Sequence, residues 1–354
     1  MNINIYRIIF LILIMLFILE DYLKNNKKIY KILKFISIMM VISLVGFRGI
    51  IARDDRAYFK IFEYVPKIYK LSFHYLELER VEIGYTILNS IVKTFTENYK
   101  VMFFIVALIS LVNLYIFINY FSNYFFYSIA FYYCRWLFLK EFTQLRSALA
   151  CSFFYIGLIL LHKKKYIYYF LSIIIGGLFH KAILFCLIFP LFIYFYKKKC
   201  INKLVYILII LLPFINTKII LNNILLKMKL IDPIYLIGEY SKRQSYIGVY
   251  YFFFFLIILY FFSKKLKKID KYKFLEEVYI FSVFISSSLF YYGEIAGRLS
   301  SFFNVEFLLH DKILKIFKNK ILIKIIMVIF LILMYKVNFT NRLEYEYWEY
   351  FSRF

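Results

Sequence analysis

Apolar runs as long as a bilayer is thick recur from one end of this chain to the other. A helix crossing the hydrocarbon core needs about 20 mostly apolar residues. Runs of that kind fall at roughly 3–20, 29–46, 100–119, 123–140, 144–162, 166–180, 182–196, 203–216, 246–263, 274–292, 297–313 and 321–337. The expected fold is therefore all-α and polytopic, with about twelve transmembrane helices in one domain, 1–354. Composition agrees: 63% of the 354 residues are hydrophobic, against roughly 45–50% in soluble domains. A disordered chain, a disulfide scaffold and an ordinary cytosolic enzyme are excluded. The first run is not read as a cleaved signal, because no small-residue cleavage site follows it. Cys134, Cys151, Cys186 and Cys200 lie in or beside apolar runs without CxxC or Cys/His spacing. They read as packing residues.

Lysines set the orientation. Lys24, Lys27, Lys28 and Lys31, then Lys163–Lys165, Lys197–Lys199, Lys264–Lys268 and Lys312–Lys320, mark successive turns. Placing all of them in the cytoplasm makes the spans alternate, provided that 82–96 lies on the outer face as an amphipathic helix. Three segments then face outward: 47–99, 217–245 and the tail 338–354.

The arginines do not follow the lysines. Arg7, Arg48, Arg53, Arg56, Arg80, Arg135, Arg146, Arg243, Arg298, Arg342 and Arg353 all fall in outward segments or at outer span ends. The positive-inside tendency predicts the opposite bias. Arg suits bidentate recognition of phosphate and carboxylate. The net charge of +25 thus divides into orienting lysines and an outward set fit to hold an anion. A chain buried in lipid is not expected to read nucleic acid.

Five constellations carry candidate chemistry. Arg48, Arg53, Asp54, Asp55 and Arg56 crowd nine residues after a span, as a folded Arg–Asp network or as an anion patch with a carboxylate base. Glu82-Ile-Gly-Tyr85 offers a helix cap or a second carboxylate. Arg146 opens a span followed by small residues that permit close helix packing. His180 and Lys181 sit at a hairpin tip, where the histidine is structural or titrates. Arg298 follows Gly293-Glu294-Ile-Ala-Gly297 at another outward break. No Walker loop, GxGxxG unit or HExxH motif is present.

These residues resemble the EpsG family of membrane polysaccharide polymerases, which includes many Wzy-type O-antigen polymerases. Gly46, Arg48, Asp54, Tyr58 and Phe62 match the family's first outer loop in spacing, with Ala52-Arg53 where the family has Gly-Thr. Glu82-x-Gly84-Tyr85 matches Glu-x-Gly-Tyr, and Arg146-Ser-Ala-Leu-Ala150 matches Arg-Gln-x-Leu-Ala. Phe179-His180-Lys181 matches Phe-His-Lys, and Arg298 stands at the late outer Arg. The resemblance implies a GT-C-like architecture in the bacterial inner membrane. It implies an oligosaccharide repeat unit on polyprenyl diphosphate as donor and acceptor, no cofactor, and a chain-length regulator as protein partner.

The expected reaction is glycosyl transfer. Arg48, Arg146 and Arg298, assisted by Arg53 and Arg56, would hold the diphosphate. Asp54, then Glu82, then His180, are the expected bases, with Tyr58 and Tyr85 beside them and no required metal. A flippase for the same lipid-linked unit, a membrane acyltransferase and an O-antigen ligase are the rivals. A transporter should place its cations mid-span around a cavity, whereas here they gather at one face.

Overall fold

The computed structural model describes residues 5–50, 52, 54–78, 81–214, 270–314 and 320–343. Among these, every regular element is helical. The chain divides into two compact units, 1–184 with 310–354, and 185–309. Among the described residues, four helices are long and apolar enough to cross a membrane: Lys27–Gly46, Tyr99–Phe121, Leu145–His162 and Lys320–Asn338.

The first unit opens with α1 (Ile5–Leu23) and α2 (Lys27–Gly46). The segment between α2 and the next span folds into α3 (Asp55–Tyr64), α4 (Phe73–Leu78) and α5 (Ile83–Phe95). The amphipathic helix expected over 82–96 is thus present as α5. Then come α6 (Tyr99–Phe121), α7 (Phe125–Tyr132), α8 (Leu145–His162) and α9 (Tyr166–Gly177). Helix α8 is the most enclosed of the long helices, and small residues explain how. A Cβ on Gly157 would lie 2.6 Å from Ser172 Oγ, and one on Gly176 would lie 2.8 Å from Ile183 Cδ1. Without those side chains the α8 and α9 backbones close up.

Three expected spans depart from a plain α-helix. The run 123–140 begins as α7 and widens into a π-helix, Tyr133–Thr143. Nine residues make about two and a half α-turns, which would put Tyr132 and Glu141 on opposite faces. The wider π-turns bring them together, with Tyr132 Oη donating to Glu141 at 2.9 Å. Ser110 Oγ of α6 donates to the same carboxylate at 2.6 Å. The run 182–196 is a 3-10 helix, Lys181–Ile188, followed by α10 (Phe189–Tyr196). Pro190 lacks an N–H, so it sits where an α-helix can start.

The 297–313 run is two short helices in place of one span. After α11 (Lys199–Leu211) and α12 (Asp270–Ser288) come α13 (Gly293–Ser300) and α14 (Glu306–Ile313), broken between them. Ser282 Oγ of α12 serves that break, at 3.0 Å from Ser300 O and 2.7 Å from Asn304 Oδ1. Within the second unit Phe281 is the aromatic hub, 4.5 Å from Phe192 and 4.7 Å from Phe303 between ring centres. The last helix, α15 (Lys320–Leu343), continues into the expected tail. The run 246–263, the segment 217–245 and residues 344–354 lie outside the described residues.

The lysine turns of the first unit do more than orient it. Asp311, fully buried, accepts from Ser122 Oγ at 2.6 Å, Asn123 N at 2.5 Å and Tyr124 N at 3.1 Å. Lys312 donates to Phe121 O. Lys324 pairs with Asp21 at 3.0 Å and donates to Ile18 O at 3.0 Å. Lys24 lies 3.5 Å over the Tyr124 ring, and Lys34 reaches Asn119 Oδ1 at 2.5 Å. This polar knot ties α1, α2, α6, α14 and α15 at one end of the unit.

A different buried pair fixes the other end. Arg48 follows α2 with no side-chain exposure, and Asp55 heads α3 with none. Arg48 Nη2 donates to Asp55 Oδ1 at 3.0 Å and to Phe142 O at 3.1 Å, while Nη1 donates to Val45 O at 2.7 Å. The guanidinium also lies 4.6 Å from the Phe103 ring and 4.8 Å from the Phe142 ring. Its donors are taken up inside the protein, so Arg48 holds the loop and is not among the arginines open to a ligand. Asp55, not the neighbouring Asp54, completes the network, and it also accepts from Ala52 N at 2.8 Å.

Breaking this pair from one side strands a buried charge. Arg48→Met or Asp55→Leu should each cost about 3–5 kcal/mol. The double substitution Arg48→Met, Asp55→Leu should cost less than the two singles together, by roughly 1–3 kcal/mol. Thermal unfolding of the purified protein in detergent checks this, and simple additivity would contradict the pairing.

Candidate functional site

At the Arg48 end, three distant segments converge on one carboxylate. Glu82 precedes α5 in extended conformation, and its side chain makes no cap hydrogen bond. It turns instead toward α8 and toward the bend after α9. Arg146 Nη1 donates to Glu82 Oε2. His180 Nδ1 lies 3.0 Å from Glu82 Oε1, and Lys181 N donates to that oxygen at 3.4 Å.

Gly84 explains why the segments approach so closely. Its N–H donates to Leu178 O at 2.8 Å. A Cβ there would lie 2.7 Å from Leu178 Cβ and 2.8 Å from that carbonyl oxygen. Phe179 stacks on Phe153 of α8 at 5.5 Å and 5°, which fixes the bend against the helix that carries Arg146.

Two tyrosines form the floor. Tyr58 of α3 hydrogen-bonds the Arg146 side chain and meets Tyr85 of α5 edge-on at 5.9 Å. Burial pushes the Tyr58 hydroxyl up, so it stays a protonated donor. Phe62, Val92, Met102, Phe103, Leu145 and Leu149 pack beneath them.

The electrostatics follow from the partners. Burial alone would raise the Glu82 carboxyl. The His180 hydrogen bond and the charges of Arg146 and His180 outweigh burial and hold it at about 2. Glu82 is therefore a fixed anion and a poor proton acceptor. Side-chain exposure grades outward, from 10% for Glu82 to 22% for His180 and 30% for Arg146. The buried carboxylate thus presents a cation and an imidazole to the surface. With Nδ1 engaged by Glu82, the other ring nitrogen, Nε2, is the one available to a substrate. Arg146 Nε is buried and has no hydrogen-bond partner among the described residues.

A model of the EpsG family matches residues 31–352. The chain belongs to the EpsG family. No curated protein and no solved structure matches it. The EpsG family includes Wzy-type polymerases, so membership points to a polysaccharide polymerase-related function. The apolar helices and the family together mark a membrane protein.

In this EpsG-family chain the structure gathers Tyr58, Glu82, Tyr85, Arg146 and His180. Asp54 occupies the position before α3 without capping it. Arg56 is exposed on α3, and Arg53 lies outside the described residues. Arg298 belongs to the second unit, where its Nε donates to Glu294 at 3.0 Å within one helix. Among the described residues no group of three metal-ligating side chains converges.

The sequence reading passed over Lys140 and Glu141, both buried on the π-helix. Lys140 Nζ donates to Ser147 Oγ at 3.3 Å, one residue past Arg146. The signal was available: adjacent ionisable residues at the end of an apolar run are costly without partners.

The depressed Glu82 carboxyl gives a sign for acid stability. A carboxyl lowered on folding stabilises the fold above its unfolded value of 4.5, and that contribution is lost as pH falls toward about 2. The melting temperature of the native chain should therefore drop across that window, and Glu82→Gln should lose this dependence. Parallel pH profiles for the two proteins would contradict the ion-pair assignment.

Proposed function

We propose that this protein joins polyprenyl-diphosphate-linked oligosaccharide units into a surface polysaccharide, O-antigen or capsule, at the outer face of the bacterial inner membrane. The observation that carries the reading is the Glu82–Arg146–His180 cluster. It pairs an anion-binding guanidinium with an oriented imidazole at the end of the spans away from the lysine turns. Family membership supports the same reaction class.

The proposed step is a displacement. A hydroxyl at the non-reducing end of one lipid-linked unit attacks the anomeric carbon of the sugar attached to another carrier. The new C–O bond forms as the bond to diphosphate breaks, and polyprenyl diphosphate leaves with the electron pair. Arg146 neutralises the charge that gathers on the leaving phosphate. His180 Nε2 takes the hydroxyl proton, and Glu82 orients the ring and stabilises the imidazolium. Among the three expected bases this arrangement favours His180 over Asp54. Arg53, Arg56 and Arg298 remain candidate diphosphate ligands. No resident cofactor enters the proposal.

A purified preparation in detergent, supplied with lipid-linked repeat units, tests it. The native protein should build a ladder of lengthening glycans. Arg146→Lys should slow it by about 10²–10³-fold. His180→Ala should slow it by roughly 10²–10⁴-fold. A flippase would build no ladder without a bilayer to cross, and a ligase would transfer units without extending them. Unchanged ladders for both variants would overturn the site assignment.

A further inference from the structure

The segment 47–99 carries a second feature that the cluster does not use. Helix α5 packs a mixed polar and apolar face on the protein and leaves large apolar side chains exposed on another. It buries Tyr85, Thr86, Asn89, Ser90 and Val92 against the protein. It exposes Ile83 (50%), Ile91 (41%) and Phe95 (85%), which recur along one face at helical spacing. Phe73 (87%) and Phe47 (63%) are exposed in the same segment.

Chain geometry limits where these groups can lie. Phe47 directly follows α2, and Phe95 stands four residues before α6. Four residues reach at most about 13 Å, so both side chains stay close to the ends of two candidate spans. Phe47 stacks on Phe104, near the start of α6, at 4.9 Å, which holds the two ends together. Contacts inside the segment pin α5 down: Ser90 Oγ donates to Pro66 O at 2.7 Å, and Ile68 N donates to Thr94 Oγ1 at 3.0 Å. Residues 47–99 carry eight Lys or Arg against seven Asp or Glu, so charge alone does not attract the segment to an anionic surface.

We infer that the exposed Ile83–Ile91–Phe95 face of α5, with Phe47 and Phe73, inserts into the leaflet beside the site and clamps the 47–99 segment to the membrane surface. Apolar side chains on a helix lying in the interface bury about 5–10 Å into the boundary between headgroups and acyl chains. Glu82 begins the same helix, so the clamp sets the height of the cluster at the headgroups. The proposed function places the phosphates of a lipid-linked substrate at that height, and this last step rests on that proposal.

The test reads lipid contact without using activity. In a Trp136→Phe, Trp348→Phe background, Phe95→Trp and Phe73→Trp are reconstituted into neutral phosphatidylcholine vesicles brominated at defined depths. Both reporters should emit blue-shifted light and be quenched more by bromine about 5–10 Å below the headgroups than by bromine at the bilayer centre. A Lys60→Trp reporter, on the exposed side of α3, should show neither effect. Adding anionic lipid should leave the quenching unchanged. Water-like emission without quenching at positions 73 and 95 would overturn the inference. So would protection of these reporters by soluble repeat-unit glycan, which would make the face a sugar platform.

Discussion

One carboxylate organises the arginine-bearing end of this protein. Glu82 joins Arg146, 64 residues on, and His180, 98 residues on. Their attraction matters because the carboxylate is mostly withdrawn from water; the exposed Lys67–Glu97 pair at 3.1 Å is screened and contributes little. Several features elsewhere exist to make the meeting possible. Gly84 lets α5 touch the bend at Leu178, Gly157 and Gly176 let α9 lie close on α8, and the Arg48–Asp55 pair fixes where α3 and its Tyr58 begin. Each of these acts on the cluster through backbone position, without reaching it.

The helical runs and the order of the motifs were legible in the sequence, because hydrophobic length and short spacings are local properties. Who pairs with whom was not. Asp54 and Asp55 are adjacent and chemically identical, and only the turn at Ala52 decides that Asp55 points inward to Arg48. Glu82 reads as a helix cap by position, and its extended backbone leaves the carboxylate free for partners that no spacing announces. The π-helix was hidden for the same reason. Its register follows from Glu141 seeking Ser110 and Tyr132, which is a tertiary demand written over an α-helical pattern. The break before α14 likewise depends on Ser282, far back in the chain.

The lysines show how residues read for orientation can also build structure. Positive residues at turns were read as a topological bias, yet Lys312, one of them, is withdrawn from solvent and bound to a backbone carbonyl. A lysine that meets its electrostatic needs inside the fold still carries the positive-inside bias, so both roles fit one residue. The arginines divide in a similar way. Arg48 spends its planar fork on internal acceptors, whereas Arg146 gives one nitrogen to Glu82 and keeps part of its surface open.

That division bears on the choice between moving a lipid-linked unit and transforming it. Lys140 and Glu141 add two buried ionisable groups at the end of the 123–140 run. A transport route, however, needs polar groups facing an aqueous passage. Glu141 is already occupied by Ser110 and Tyr132, and Lys140 by Ser147. The cavity of about 520 Å³ between α1 and α2 is walled by Ile5, Ile9, Phe35, Met39, Met40 and Leu44, with Ser43. Its lining offers a sugar-bearing headgroup almost no hydrogen-bond partner. Arg146 and His180 keep part of their surface open at the Arg48 end, and the proposed group transfer needs polar groups there and not along a passage.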